Sequence, residues 1–230
     1  MREIVLDTET TGLDPFSGHR VVEIGCVELI NHVRTGNHFH TYLNPQRSMP
    51  REAENVHGLS EEFLKDKPLF RQVASAFLEF IGDSPLVIHN AAFDMKFINA
   101  ELNVAGKAEI PMARAIDTVL LARQKFPGQP ASLDALCKRF SIDLTARTKH
   151  GALLDSELLA DVYLELLGGR QSTLGLAQEE ARKESAALAF SGHTDIPPRS
   201  FPPSLEELAA HQTMLAKLKK PLWVDEGEAN

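Results

Sequence analysis

A basic surplus is missing from this chain. Its 230 residues carry 24 Lys and Arg against 32 Asp and Glu, a net charge of −8. Proteins that grip nucleic acid through their own side chains neutralise phosphates with clustered cations. Neither residues 1–170 nor residues 171–230 hold such an excess. Any action on nucleic acid must draw positive charge from metal ions, or a partner must hold the substrate. Long apolar runs are missing too. No stretch approaches the ~18 apolar residues of a membrane span. The start at Met1 (MREIVLD) enters a charged strand pattern with no signal-peptide h-region, so a cytoplasmic protein without a membrane partner is expected. Cysteine is scarce. Cys26 and Cys137 sit in apolar contexts without metal-ligand spacing, which argues against a disulfide framework and predicts buried reduced thiols.

What is present is an ordinary globular composition, 43% hydrophobic and 24% charged, enough for one sizeable core and a tail. Glu3 to Thr8, Val21 to Ile30 and His38 to Leu43 read as strands separated by turn residues. Leu69 to Ile81 has apolar residues at a helical period and closes at Gly82. Leu86 to His89 is a short buried strand, and a helix is expected from about Phe93 to Val104, ending near Gly106. Further helices are expected over Thr118–Lys125, over Leu133–Phe140 with Ser132 as N-cap, and over Leu153–Leu167 before Gly168 and Gly169. A meander followed by alternating strands and helices predicts an α/β domain with a mixed β-sheet, ending near residue 170. Residues 171–203 read as a linker, with Pro197, Pro198, Pro202 and Pro203 near its end. A flexible C-terminal tail closes the chain, with a helical segment from Ser204 to Lys220 opened by the capping-box pair Ser204 and Glu207.

The acidic residues carry the chemistry. Asp7 and Glu9 stand two apart at the end of the first strand (DTETTG), so both carboxylates face one side. Crowded carboxylates repel, and hard divalent cations relieve that repulsion. A solvated strand end with a local turn is the other reading. Gly12 is expected to permit a tight turn and close approach of a substrate. Asp94 (HNAAFD) falls in the first turn of a helix, where an anion also serves as a cap. His89 reads as a satisfied polar residue at a strand end. His150 and Asp155 (HGALLD) introduce the last long helix. With His150 in the preceding loop, Asp155 projects from the second turn toward the same cleft. Asp161 reads as a surface residue. Glu52 and His57 say nothing individually.

Taken in order, DTETTG, HNAAFD and HGALLD resemble the three motifs of the DnaQ-type exonucleases, which use four acidic residues and a histidine. The wider run HGALLDSELLADVY, with VHGLS and FPGQPASLDALCKRF, is similar to the epsilon proofreading subunits of bacterial DNA polymerase III, and the likeness covers residues 2–170. The resemblance implies a ribonuclease H-like fold and 3′→5′ hydrolysis of a terminal phosphodiester, releasing nucleoside 5′-monophosphates. It implies Asp7, Glu9, Asp94 and Asp155 as carboxylate ligands of two divalent ions, Mg²⁺ or Mn²⁺, and His150 as general base. It implies terminal-nucleotide contacts from Glu52 and His57 and from the Thr10–Thr11 backbone, alongside Asp7, Glu9 and Asp155. Two ions among four carboxylates make a near-neutral site, which would let an acidic protein act on a polyanion.

The tail extends the resemblance to partners. Gln171, Leu174 and Leu176 resemble the clamp-binding peptides of bacterial replication proteins, and ordinary linker is the competing reading. Leu205, Leu208, Leu215 and Leu218 form one helical stripe before Trp223, the sole tryptophan. That pattern resembles the tail that docks on the polymerase alpha subunit; packing on the exonuclease domain is the other reading. The family also implies a single-stranded 3′ end of DNA as substrate and a small theta-like subunit. Two further readings stay open: an exonuclease of the same family that trims RNA or degrades oligonucleotides, and a non-catalytic metal-binding interaction module.

Overall fold

The computed structural model describes residues 1–145, 147, 149–169 and 202–217. The first strand dictates a sheet covered on both faces. In β1 (Arg2–Thr10), Ile4 and Leu6 point one way and Val5 the other, and all three are fully buried. β2 (Val21–Ile30) and β3 (Val33–Tyr42) follow as an antiparallel meander. β4 (Leu86–Ile88) and β5 (Ala115–Asp117) add in parallel on the other side of β1, giving the order β3-β2-β1-β4-β5.

Between β3 and β4 lie α1 (Arg51–His57), α2 (Glu61–Leu64) and α3 (Phe70–Ile81); α4 (Ala91–Val104) joins β4 to β5. α5 (Thr118–Lys125), α6 (Leu133–Arg139) and α7 (Ala152–Leu166) complete the domain. Phe70, Phe77 and Ile81 of α3 and Phe97, Ile98 and Leu102 of α4 pack with Ile4, Leu6 and Ile24 on one face of the sheet. Leu159, Ala160 and Tyr163 of α7 pack with Val5, Val27 and Val87 on the other. Both cysteines are buried and free, as expected.

The differences from expectation have local causes. β3 runs from Val33 rather than His38, because its exposed polar residues pair through the backbone at the sheet edge and leave no apolar pattern. α1, α2 and β5 are too short for a hydrophobic period to reveal them. α7 starts at Ala152, so Asp155 lies in its first turn, not its second.

The chain divides into two units, residues 1–179 and 180–230. In the second, α8 (Leu205–Leu215) opens with the expected capping box: the Ser204 hydroxyl accepts from Glu207 N–H at 3.2 Å, and the Glu207 carboxylate accepts from Ser204 N–H at 2.7 Å. Its Leu205, Leu208 and Met214 are exposed. The expected clamp-binding residues Gln171, Leu174 and Leu176, most of the linker, Leu218 and Trp223 lie outside the described residues. Among the described residues no helix is long and apolar enough to cross a membrane.

Candidate active site

Strand alternation sends Asp7 and Glu9 to the face covered by α7. Their partners across β2 are Gly25 and Glu23. Gly25 is the hinge of the arrangement. A Cβ there would lie 2.3 Å from the backbone of Ala152 and Leu153, so the start of α7 rests directly on the strand. Ser156 fixes the contact by donating from Oγ to the Gly25 carbonyl at 3.0 Å. The first turn of α7 is thereby held beside Asp7 and Glu9, and it carries Asp155, which is 3% exposed.

Asp94 arrives from the other side of β1. It lies in the first turn of α4 but does not cap it. Asp117 takes that part, accepting from the N–H groups of Asn90 at 3.3 Å and Ala91 at 3.2 Å, while Asn90 adopts the left-handed φ of 67° that asparagine tolerates. Asp94 instead accepts from Thr8, from its N–H at 3.0 Å and its Oγ1 at 2.7 Å. His89 is satisfied by Thr118 Oγ1 at 2.8 Å, in keeping with a structural role. Asp161 is partly exposed and pairs with Arg34.

Glu9, His150 and Asp155 each bring one ligand atom within 4.8 Å of the others. Asp7 and Asp94 do not belong to that tight group, but both charges act on the same centre. Loss of water, then the charges of Asp94, Glu9, Asp155 and Glu23, hold the Asp7 carboxyl well above the usual range. Burial first, then Asp155, Glu23 and Asp94, pushes Glu9 up to about 8. Burial also raises Asp94 to about 7 against the opposing hydrogen bonds from Thr8. The site is short of positive charge, and its donors are hard carboxylate oxygens with one imidazole. That combination fits a divalent ion of the Mg²⁺ or Mn²⁺ type.

Beside this group opens a cavity of about 610 Å³, the size of a small-ligand pocket. Thr8 to Leu13, Glu52, Val56, His57 and Phe93 are among its lining residues. Four residues carried over by resemblance, Thr10, Thr11, Glu52 and His57, therefore come together here. His57 is buried, and its Nδ1 accepts from Leu59 N–H at 3.0 Å, which leaves the ring proton on Nε2. Glu9 belongs both to the cavity wall and to the His150–Asp155 group. One expectation is corrected. Gly12 does not have a left-handed φ, and a Cβ there would meet the His19 ring at 2.3 Å. The missing side chain makes room for that imidazole, and Gly12 itself lines the cavity.

Comparison with known proteins agrees with this geometry. The exonuclease family RNase_T matches residues 4–163. The DNA polymerase III subunit epsilon of Rickettsia felis is 51% identical over 224 residues, 96% of this chain and 98% of that protein. Its counterpart from Escherichia coli K12 is 43% identical, over 95% of this chain and 94% of the relative. The chain belongs to the DNA polymerase III subunit epsilon family. It is a proofreading 3′→5′ exonuclease. Exonuclease X, solved with 5′ overhanging duplex DNA, superimposes with TM-score 0.56 at 27% identity, covering 71% of this chain and 90% of that one. The nuclease domain of 3′hExo, a DEDDh family member bound to rAMP, gives 0.62 at 19% identity, covering 72% and 91%. The fold is ribonuclease H-like, and exonucleases of this epsilon-containing group use divalent metal ions.

Sequence reasoning missed two residues at this epsilon-family site. Glu23 adds a fifth carboxylate opposite Glu9, held by His40 Nε2 at 2.7 Å. The register of the β1–β2 hairpin would have found it. Arg147 donates to both oxygens of Asp155, from Nε at 2.5 Å and Nη2 at 2.7 Å. Its only sequence signal is a cation three residues before His150.

Proposed function

We propose that Asp7, Glu9, Asp94 and Asp155 hold two divalent ions, Mg²⁺ or Mn²⁺, and that His150 is the general base for hydrolysing the terminal phosphodiester at a single-stranded 3′ end of DNA. The observation that carries this reading is Glu9, common to a cavity with room for a nucleoside and to the His150–Asp155 group. A terminal nucleoside seated between the Thr10–Thr11 backbone and Glu52 and His57 would present its 5′ phosphate at Glu9. When bound, two such ions activate water and stabilise the attacking and leaving oxygens of an in-line displacement. The chain's own residues do the rest. Asp7 and Glu9 come on a rigid central strand, and Asp155 on a helix seated on Gly25, so the carboxylates are positioned in advance. The His150 side chain, 49% exposed, can take a proton from water at the site and return it to solvent.

Selectivity needs no reading of bases. A mismatched terminus unpairs at lower cost than a matched one, and hydrolysis at a second site is how editing exceeds binding discrimination. His150→Ala is expected to lower kcat roughly 10²–10⁴-fold, the usual worth of a general base, without loss of fold. The assay is release of nucleoside 5′-monophosphates from single-stranded DNA in Mg²⁺ or Mn²⁺, run beside the same RNA sequence. Near wild-type turnover by the variant would remove His150 from its role, and equal turnover of RNA would favour a general oligonucleotide exonuclease.

The same reading gives the three-part organisation a purpose: exonuclease domain 1–170, linker 171–203 and docking tail 204–230. An acidic enzyme gains most when tethered beside a DNA-bound partner, because a short linker supplies a millimolar effective concentration. The exposed Leu205, Leu208 and Met214 of α8 support helix-in-groove docking on the polymerase III alpha subunit, with Trp223 as an anchor. Gln171, Leu174 and Leu176 would contact the sliding clamp, and a theta-like subunit would complete a cytoplasmic complex. Deleting residues 204–230 should abolish association with the polymerase subunit in a pull-down and leave hydrolysis of short oligonucleotides unchanged. Full-affinity capture of the shortened chain would move docking to the exonuclease domain.

A further inference from the structure

Arg147 lies on the loop between α6 and α7, yet its side chain is only 8% exposed. Its guanidinium has turned into the acidic site. Nε and Nη2 take the two oxygens of Asp155, Nη1 reaches Asp134, and Nη2 stands 2.7 Å from His150 Nδ1. Asp155 Oδ2 is also 3.1 Å from His150 Nδ1. The loop itself is pinned to α1, through His150 N–H on the Val56 carbonyl at 3.3 Å and the Lys149 side chain over Gly58.

We propose that Arg147 is a resident counter-cation that competes with a divalent ion for Asp155, so that loading the site exchanges the guanidinium for the metal. This rests on the reading of Asp155 as a metal ligand. The competition is stereochemical as well as electrostatic. A bidentate guanidinium engages both carboxylate oxygens, which are also the atoms a hard cation would ligate. Two positive groups on one carboxylate repel across a few ångströms, and a single charge on Arg147 is a poor substitute for a dication among several carboxylates.

Asp134 makes the exchange easy. Its side chain is 53% exposed, on α6, and already holds Nη1. A guanidinium leaving Asp155 keeps that partner, so it need not become an unpaired charge. The exchange also changes His150. An Nδ1 that accepts from a guanidinium has its lone pair occupied. Departure of Arg147 frees that lone pair, and metal loading is thereby linked to the availability of the base.

The test is Mn²⁺ binding to the full chain by titration calorimetry, with folding checked by thermal unfolding in chelator. Arg147→Gln should bind Mn²⁺ about tenfold more tightly than wild type, and Arg147→Lys should fall between. A merely structural role predicts the opposite sign, because losing a residue that orients Asp155 would weaken the site. Asp134→Asn should weaken Mn²⁺ binding severalfold in the wild-type background and have no effect in the Arg147→Gln background, a coupling that a double-mutant cycle isolates. Asp155→Asn should remove the site altogether. Absence of Mn²⁺ binding by wild type, or its persistence in Asp155→Asn, would overturn the metal reading and the exchange with it. Loss at Asp155→Asn combined with equal or weaker affinity in Arg147→Gln would overturn the exchange alone.

Discussion

Asp7→Asn is expected to lower exonuclease activity by on the order of 10⁴-fold while leaving the protein more stable than wild type in chelator at pH 8. The two effects have one cause. Asp7 sits at the centre of the carboxylates, and Asp94, Glu9, Asp155 and Glu23 all raise its pKa on top of its loss of water. Asparagine keeps the shape, discards a ligand and removes the repulsion. The pH dependence follows with a definite sign. A carboxyl whose folded pKa lies above its unfolded value contributes most below the unfolded pKa, and that stability is lost as pH rises through the folded value. Glu9 is shifted from 4.5 to about 8 and Asp94 from 3.8 to about 7. Wild type in chelator should therefore lose Tm steadily from about pH 4 to pH 8. Asp7→Asn should lose less, so its advantage widens with pH, and Mn²⁺ should flatten the wild-type slope. Thermal melts across that range check the sign. A variant less stable than wild type at pH 8 in chelator would show that repulsion at Asp7 is not what limits stability.

Gly25→Ala should cripple the enzyme through its architecture. The added methyl would stand 2.3 Å from backbone atoms of Ala152 and Leu153, and backbone cannot rotate aside as a flexible side chain can. Either β2 or the start of α7 must move, at a cost of about 1–3 kcal/mol or more. Movement of α7 displaces Asp155 and the His150 loop from Glu9. A misplacement of about 1 Å can cost on the order of 10²-fold in rate. Val162→Ala supplies the control, since Val162 is fully buried on the same helix but lies two turns beyond Asp155. It should lower Tm comparably and leave kcat nearly intact. If Gly25→Ala kept full kcat and full Mn²⁺ affinity, the seating of α7 on the glycine would not be what positions Asp155.

Much of this was legible in the chain. The D-x-E spacing at a strand end put Asp7 and Glu9 on one face, because alternation is a property of the extended backbone. The long apolar period ending at Gly168 and Gly169 announced α7 to within one residue, and Ser132 marked the start of α6. The capping box at Ser204 and Glu207 was equally readable, since all its atoms belong to one short segment. Elements that local pattern does not stabilise were hidden. α1 has few apolar residues, and β3 lies exposed along most of its length at the edge of the sheet.

The sequence by itself determined the chemical inventory: four carboxylates and a histidine in order, an acidic balance that leaves positive charge to other sources, and the strand and helix that carry Asp7, Glu9 and Asp155. Tertiary structure alone decided how these groups meet. Asp94 reaches the site through Thr8, not through its own helix end, because Asp117 from a distant strand does the capping. Glu23 joins the carboxylates through cross-strand register, and Arg147 enters by folding a loop back onto Asp155. These are contacts between residues far apart in the chain or on a loop without periodic pattern. Local propensity and spacing carry no information about them; packing, register and the search of buried charges for partners do.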